Sequence, residues 1–417
     1  MLTVAGILLW TMLAIAWLCR VLKRQTYGLS VMQIAGAFSF KIIMGCAYGY
    51  IFLTMYEGDD TWWLHEYSLG QQQLLLDDPL RFFAELGPFA SPRAYDSWAD
   101  HLYYYLGDIE VWILTKPMAL INFLTAGNYY MNLVFFNVPV FIAQSWLYRL
   151  VTERTSGGRT PIFLAVFFVP PVIFWLSGFR PDGLLFFFVM LGILQFSALM
   201  QKKDTGRIVA FIIGMAGILV FRSYLLALMI PSFVAWFMVE KRGRKPLPAF
   251  AGVYGLCVLL FFATTWISPS RNAATVISAR QAAFFALEGN TRFALDTLKP
   301  NLPGFVKVLP QALNNSFLRP YPWEAKGFLQ LAASVEVLLL LLLVILFSFR
   351  PMRNGWVAFC QPLFLTLLFF ALFQFLIIGY TVPFPGAIVR YKIIGELFLF
   401  AMFAGLINWK FFLKRSD

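Results

Sequence analysis

The chain is poor in charge. Only 13% of its 417 residues are Asp, Glu, Lys or Arg, whereas a soluble domain carries about a quarter. That deficit excludes an ordinary water-soluble globule. Histidine is nearly absent, with two residues, and the four cysteines (Cys19, Cys46, Cys257, Cys360) all fall inside apolar runs without metal-ligand spacing. Neither a cysteine metal centre nor a disulfide framework is expected, and the cysteines read as small buried hydrophobes. There is no phosphate-binding glycine motif, internal repeat or low-complexity tract.

What is present is apolar mass, 60% hydrophobic and 18% aromatic. The length is used up by spans of about 20 residues each. Eleven runs read as spans: 2–19, 31–54, 128–149, 160–178, 183–201, 207–222, 223–239, 248–267, 330–349, 357–379 and 389–409. The expected fold class is an all-α polytopic membrane protein, with 1–417 as a single transmembrane domain. The first run lacks a basic n-region and a small-residue cleavage site, and its charges Arg20, Lys23 and Arg24 follow it. It fits an uncleaved helix with its N-terminus outside.

The net charge of +12 does not point to nucleic acid, because the basic residues form short clusters between apolar runs. These are Arg20/Lys23/Arg24, Arg149/Arg154/Arg159, Lys202/Lys203/Arg207, Lys241/Arg242/Arg244/Lys245, Arg350/Arg353 and Lys410/Lys414/Arg415. They alternate along the chain, and all become cytoplasmic if the N-terminus is outside. Residues 55–127 and 268–329 are then two long external loops, and the C-terminus is cytoplasmic. Ile109 to Leu124 reads as an interfacial amphipathic helix. In the second loop, "ARQAAFFALEGNTRFALDTL" (279–298) has helical spacing, and the prolines of "KPNLPGF" (299–305) are expected to break it.

Acidic residues gather in one place. Of 21 Asp and Glu, eleven lie between Glu57 and Glu110: Glu57, Asp59, Asp60, Glu66, Asp77, Asp78, Glu85, Asp96, Asp100, Asp108 and Glu110. Both histidines, His65 and His101, are there too. An external loop that merely avoids Lys and Arg would be acidic. It would not put three carboxylates within four residues at a helix end, directly before Trp62 and Trp63. Tryptophan prefers the headgroup level, which places the carboxylates at the membrane surface.

Some cations break the positive-inside pattern. Arg180, Arg222, Arg319, Arg390 and Lys392 all fall near outer helix ends: Arg180 in the "SGFRPDG" turn with Asp182, Arg222 in the tight turn "FRSY". Singly, each reads as an arginine or lysine snorkelling to the interface or capping carbonyls. Together they suggest a group able to bind a lipid phosphate or pyrophosphate bidentately. A carboxylate pair can take a proton from a hydroxyl or hold a divalent cation, while cations neutralise a phosphate leaving group. Lys41, Glu336 and Glu396 lie inside spans, where a structural Lys–Glu pair accounts for them as well as a functional role does.

The pattern resembles the GT-C class of integral-membrane glycosyltransferases, family 39-like. "YEGDDTWW" (56–63) stands where that class carries its acidic motif, "SGFRPDGLLFF" (177–187) resembles its mid-chain external hairpin, and "VRYKIIGELFLF" (389–400) its Arg-Tyr-basic element. The chain departs from the class in an extra first span, in Ile393 and Ile394 where a proline is usual, and in lacking the large soluble domain of some members. The resemblance implies sugar transfer from a polyprenyl-phosphate donor to a glycan, lipid or protein acceptor at the outer face of a bacterial inner (plasma) membrane.

In that reading Asp60 is the general base, Asp59 orients it or binds a metal, and Glu57 is second choice. Adjacent carboxylates share charge unfavourably, which suits base work. Arg180, Arg222, Arg319, Arg390 and Lys392 are the phosphate-binding candidates, and His65, Asp182 and Tyr391 are further candidates. Asp59 and Asp60 would hold a cation, Mg or Mn, if one is used. Two rivals stay open. An O-antigen polymerase or ligase would rely on arginines such as Arg271, Arg280 and Arg292 of the second loop. A transporter or flippase for an anionic lipid would need the cations but not the carboxylates.

Overall fold

The computed structural model describes residues 2–24, 28–87, 97–268, 272–288 and 291–413; Asp96, Arg271, Lys414 and Arg415 lie outside them. The described residues are helical, with no strand, and the one isolated bridge pairs Pro351 with Ile407. In chain order the helices are α1 Leu2–Arg24, α2 Val31–Met55, α3 Asp59–Asp77, α4 Pro79–Ala84, α5 Trp98–Thr125, α6 Tyr129–Thr152, α7 Arg159–Phe167, α8 Pro170–Ser177 and α9 Pro181–Gln201. They continue as α10 Thr205–Arg242, α11 Pro246–Ile267, α12 Ala273–Phe285, α13 Leu302–Leu313, α14 Phe328–Phe349, α15 Gly355–Phe359, α16 Pro362–Thr381, α17 Pro385–Leu406 and α18 Lys410–Leu413.

Eight of these are long and apolar enough to cross a membrane, or nine if the bent pair α7–α8 is one span. The protein is thus an all-α polytopic membrane protein. Several expected spans take a more broken form. The run 160–178 bends by 48° between α7 and α8, where Pro170 cannot donate to the helical ladder. The runs 207–222 and 223–239 meet where expected: α10 is two helices joined at Arg222, where the backbone leaves helical geometry (φ −155°, ψ 85°). The last span, α17, carries Arg390, Lys392 and Glu396 and falls outside the eight. In the second loop, "KPNLPGF" starts a helix instead of breaking one. Asn301 caps α13 by accepting from the Gly304 N–H at 2.9 Å, with Pro303 in the first turn, where its missing N–H costs nothing.

The chain forms two compact units. The first comprises residues 1–149, 173–195 and 204–223. Here α2 begins at a capping box, with Ser30 accepting from the Gln33 N–H and Gln33 accepting from the Ser30 N–H. Gly45 and Gly49, four residues apart, let α2 approach its neighbours closely. A Cβ at Gly45 would lie 2.8 Å from the Ser177 carbonyl, and one at Gly49 2.3 Å from the Tyr129 ring. Lys41, buried within α2, donates to the Leu176 carbonyl and to Ser177 Oγ, both at 3.2 Å. Asn137 donates to the Ser177 carbonyl at 2.9 Å. The C-terminal carbonyls of α8 are thereby satisfied, which fixes the turn 178–180 that follows. Among the described residues Lys41 is held by a carbonyl and a hydroxyl, not by a glutamate.

The region 55–127 is built as a helical layer. α5 contains the expected helix 109–124 but starts eleven residues earlier and tolerates Pro117. Lys116 is its tie. Its ammonium donates to Gln71 Oε1 (2.8 Å), the Phe82 carbonyl (2.6 Å) and Glu85 Oε2 (3.1 Å), and lies 4.1 Å from the Phe82 ring centroid. One buried cation thus joins α3, α4 and α5. Nearby, Asn122, Asn132, Thr125 and Ser68 bond to one another at 2.6–3.2 Å. Buried polar groups in such a closed set stay satisfied.

The second unit comprises 150–172, 196–203 and 224–417. Its centre is the α16–α17 pair, with most of both helices buried. Gln374 of α16 accepts from the Gly395 N–H and donates to the Tyr391 carbonyl. The connection between α12 and α13 is anchored by Gln281, which donates to the carbonyls of Asp296 and Tyr380 and accepts from the Leu298 N–H. Glu396 of α17 pairs one turn away with Lys392 at 3.4 Å, both side chains fully buried. Glu336 of α14 is buried as well.

Candidate functional site: a carboxylate pair clamped by an arginine

Three consecutive residues leave α2 with positive φ: Glu57 at 54°, Gly58 at 100° and Asp59 at 45°. The Gly58 N–H closes the end of α2 on the Phe52 carbonyl at 2.9 Å, and the Gly58 carbonyl accepts the first bond of α3 from Trp62 at 3.2 Å. Left-handed backbone costs a non-glycine residue roughly 1–2 kcal/mol. Here it turns the chain so sharply that Asp59 and Asp60 open α3 beside the end of the helix they came from. Both lie in the first turn of α3, where the helix dipole favours negative charge.

Arg180 meets them. Its Nη1 donates to Asp59 Oδ2 and to Tyr48 Oη, both at 2.7 Å, and its Nη2 pairs with Asp60 Oδ2. The guanidinium is 2% exposed, against 33% for the Asp59 side chain and 62% for Asp60. The arginine is therefore a buried fork, and the carboxylates turn an outer edge to solvent. Burial alone would drive the guanidinium toward neutrality, but Tyr48, Asp182 and Asp59 outweigh it and hold its pKa above the ordinary value. Asp182, buried in the first turn of α9, contributes charge from behind. Arg180 Nε is buried and finds no hydrogen-bond partner among the described residues.

The fork is held by packing. The Tyr48 ring stacks on Phe52 at 4.3 Å, and Phe52 on Tyr56 at 5.0 Å. A Cβ at Gly178 would lie 2.4 Å from the Tyr48 ring, so glycine there lets the 178–180 turn reach the tyrosine. On α3, Thr61 donates to the Phe179 carbonyl at 3.0 Å and pairs with Tyr129 Oη at 2.7 Å. The residues on either side of Arg180 and Asp60 are thus pinned together.

Trp62 differs from the expectation of two headgroup anchors. Its Nε1 donates to the Gly49 carbonyl at 2.9 Å and its ring stacks on Tyr129 at 4.1 Å, so it braces the turn from inside. Trp63, 52% exposed, remains at the surface. His65 is buried edge-on against Trp62 and Tyr129. Burial lowers its pKa, only partly offset by its bond to the Gly127 backbone. Glu57 is exposed. Among the described residues no group of three His, Cys, Asp or Glu converges as a metal set. The single Arg180 charge offsets one of the two carboxylate charges of the Asp59/Asp60 pair.

The other expected cations make these contacts within their own units. In the first unit Arg222 Nη1 pairs with Glu110 Oε1 at 3.3 Å and donates to the Phe221 carbonyl. In the second unit Arg319 pairs with Glu324 at 3.0 Å and donates to Asn315. Arg390 lies 5.6 Å from the Tyr391 ring centroid. Lys392 is buried against Glu396. Sequence reasoning passed over Tyr48, Thr61, Tyr129 and Lys116. Of these, Lys116 alone carried a signal, a lone cation within an otherwise apolar helical stretch. No family model matches the chain, and no curated protein or solved structure matches it either.

Proposed function

We propose that the protein is a membrane glycosyltransferase of GT-C type, moving a sugar from a polyprenyl-phosphate donor to an acceptor hydroxyl at the outer face of the membrane. In this proposal the N-terminus is outside, the C-terminus is cytoplasmic, and the membrane is a bacterial plasma membrane. The observation that carries the reading is the clamp: Arg180 fixes Asp59 and Asp60 together at a helix start, while Asp60 keeps most of its carboxylate surface open. Asp60 takes the proton of the acceptor hydroxyl, the oxygen attacks the anomeric carbon, and the bond from that carbon to the phosphate oxygen breaks. The polyprenyl phosphate leaves with the electron pair. Asp59 and Arg180 position the base. The lipid fixes the donor's depth, so a base on a braced helix start suits the reaction better than one on a free loop. If a divalent cation takes part, the outer edges of Asp59 and Asp60 are where this chain would hold it, and it would neutralise charge on the donor phosphate.

The test is sugar transfer in proteoliposomes supplied with polyprenyl-phosphate hexoses. Asp60→Asn keeps size and hydrogen bonding but removes basicity, and should lower turnover by about 10²–10⁴ while donor binding persists. Asp59→Asn should cost less, unless a chelator also abolishes transfer, in which case both variants should be dead. Full turnover by the double variant would rule out the carboxylate mechanism.

A further inference from the structure

A second cationic feature lies wholly in the second unit, at the turn joining α16 to α17. Phe284, Phe293, Phe384 and Tyr391 pack there with Ile378, Val382 and Ile388 in one apolar knot. The Phe293 N–H donates to the Pro383 carbonyl at 2.7 Å, which pins the preceding connection onto the turn. Each of the four rings carries an arginine: Arg280 on Phe284 (4.8 Å), Arg292 on Phe384 (5.0 Å), Arg319 on Phe293 (4.5 Å) and Arg390 on Tyr391 (5.6 Å). Arginines that snorkel independently have no reason to share one cluster of rings. A guanidinium laid on a ring covers its face and leaves its N–H edge for bidentate bonding to an oxyanion.

We infer that Arg280, Arg292, Arg319 and Arg390 form a binding site for a lipid-linked diphosphate. The charge balance selects the diphosphate. Arg319 is compensated by Glu324. Arg280 and Arg292 are exposed and pair with no carboxylate among the described residues; Arg292 is aimed by the carbonyls of Phe285 and Leu287. At least two positive charges on one knot are left over. A monophosphate diester would neutralise one, and a diphosphate diester neutralises both with oxygens spaced for more than one guanidinium. Position selects the lipid: the knot sits at the turn where α16, long and apolar enough to cross a membrane, ends and α17 begins, and the end of such a span meets lipid phosphates. The inference does not rest on the transferase reading, whose donor is a polyprenyl monophosphate; the lipid bound here is a different one, a diphosphate carrier.

The experiment is equilibrium binding to the full chain in neutral-lipid nanodiscs, with the diesters polyprenyl-diphosphate hexose and polyprenyl-phosphate hexose, and inorganic pyrophosphate, as probes. The diphosphate lipid should bind at least about tenfold more tightly than the monophosphate. Arg280→Gln and Arg390→Gln should each weaken it about tenfold or more, the loss of one charge-assisted contact. Arg280→Lys, which keeps the charge without the planar fork, should show an intermediate loss and serves if the Gln variants do not fold. Equal affinity for the two lipids, or undiminished binding by the Arg280→Gln/Arg390→Gln variant, overturns the site. Pyrophosphate binding as tight as the lipid's overturns the lipid source. Asp60→Asn should bind normally. Diphosphate-selective binding with no sugar transfer under any condition would sink the transferase reading and leave this site standing. Transfer without diphosphate selectivity would do the reverse.

Discussion

Arg180→Lys separates the clamp from its charge. Lysine keeps one positive charge in the buried position but has a single ammonium in place of a planar fork. It cannot reach Asp59, Asp60 and Tyr48 together as the two Nη atoms do. Charge-assisted hydrogen bonds contribute about 1.5–3 kcal/mol each, and lysine keeps one of three. Solvent discounts the two that are lost, because Asp59 is 33% and Asp60 62% exposed; the net cost is about 2–3 kcal/mol. That should lower thermal stability without preventing folding. Turnover should suffer more, since a base displaced by about 1 Å can lose on the order of 10²-fold in rate. The assay pairs transfer kinetics with thermal unfolding of the purified protein, and adds Arg180→Ala. The alanine variant should be less stable than the lysine variant, because it leaves a cavity as well as two unclamped carboxylates. Wild-type turnover by Arg180→Lys, with reduced stability, would show that the clamp only holds the fold and has no part in aiming Asp60.

Two other predictions concern the layer around the site. Lys116→Met keeps length but strips the buried tie between Gln71, Phe82 and Glu85. With Glu85 partly exposed, the cost should be about 2–4 kcal/mol; hydrogen exchange over α3 to α5 should rise, and unchanged protection there would refute the tie. His65 gives a pH dependence. Burial lowers its folded pKa below the ordinary 6.5, so the unfolded chain takes up the proton first and stability falls as pH drops through 6.5 toward the folded value. His65→Phe should flatten the part of the loss that sets in as pH falls through about 6.5, measured by thermal unfolding; an unchanged slope would assign it to other groups.

The sequence alone located the long apolar helices but not α3, α4 or α13, because an apolar run long enough for a bilayer and a charged break are both local properties. It also located the acidic stretch 57–60 and the turn holding Arg180. It could not place them together. Arg180 and Asp60 are 120 residues apart, and nothing in either segment states that one guanidinium will meet both carboxylates. The close approach depends on Gly45, Gly49 and Gly178, whose missing side chains matter only once helices are packed. For the same reason Trp62 read as a membrane anchor and proved a brace: exposure belongs to the assembled layer, not to the residue type. The prolines of "KPNLPGF" read as breakers and proved starters, because the cap from Asn301 decides which side of a proline is helical. The arginines of the second unit were visible as charges, but only the tertiary packing of Phe284, Phe293, Phe384 and Tyr391 gave them a common seat. Charge and hydropathy fix where the chain meets the bilayer, while the pairing of buried cations waits on which helices touch.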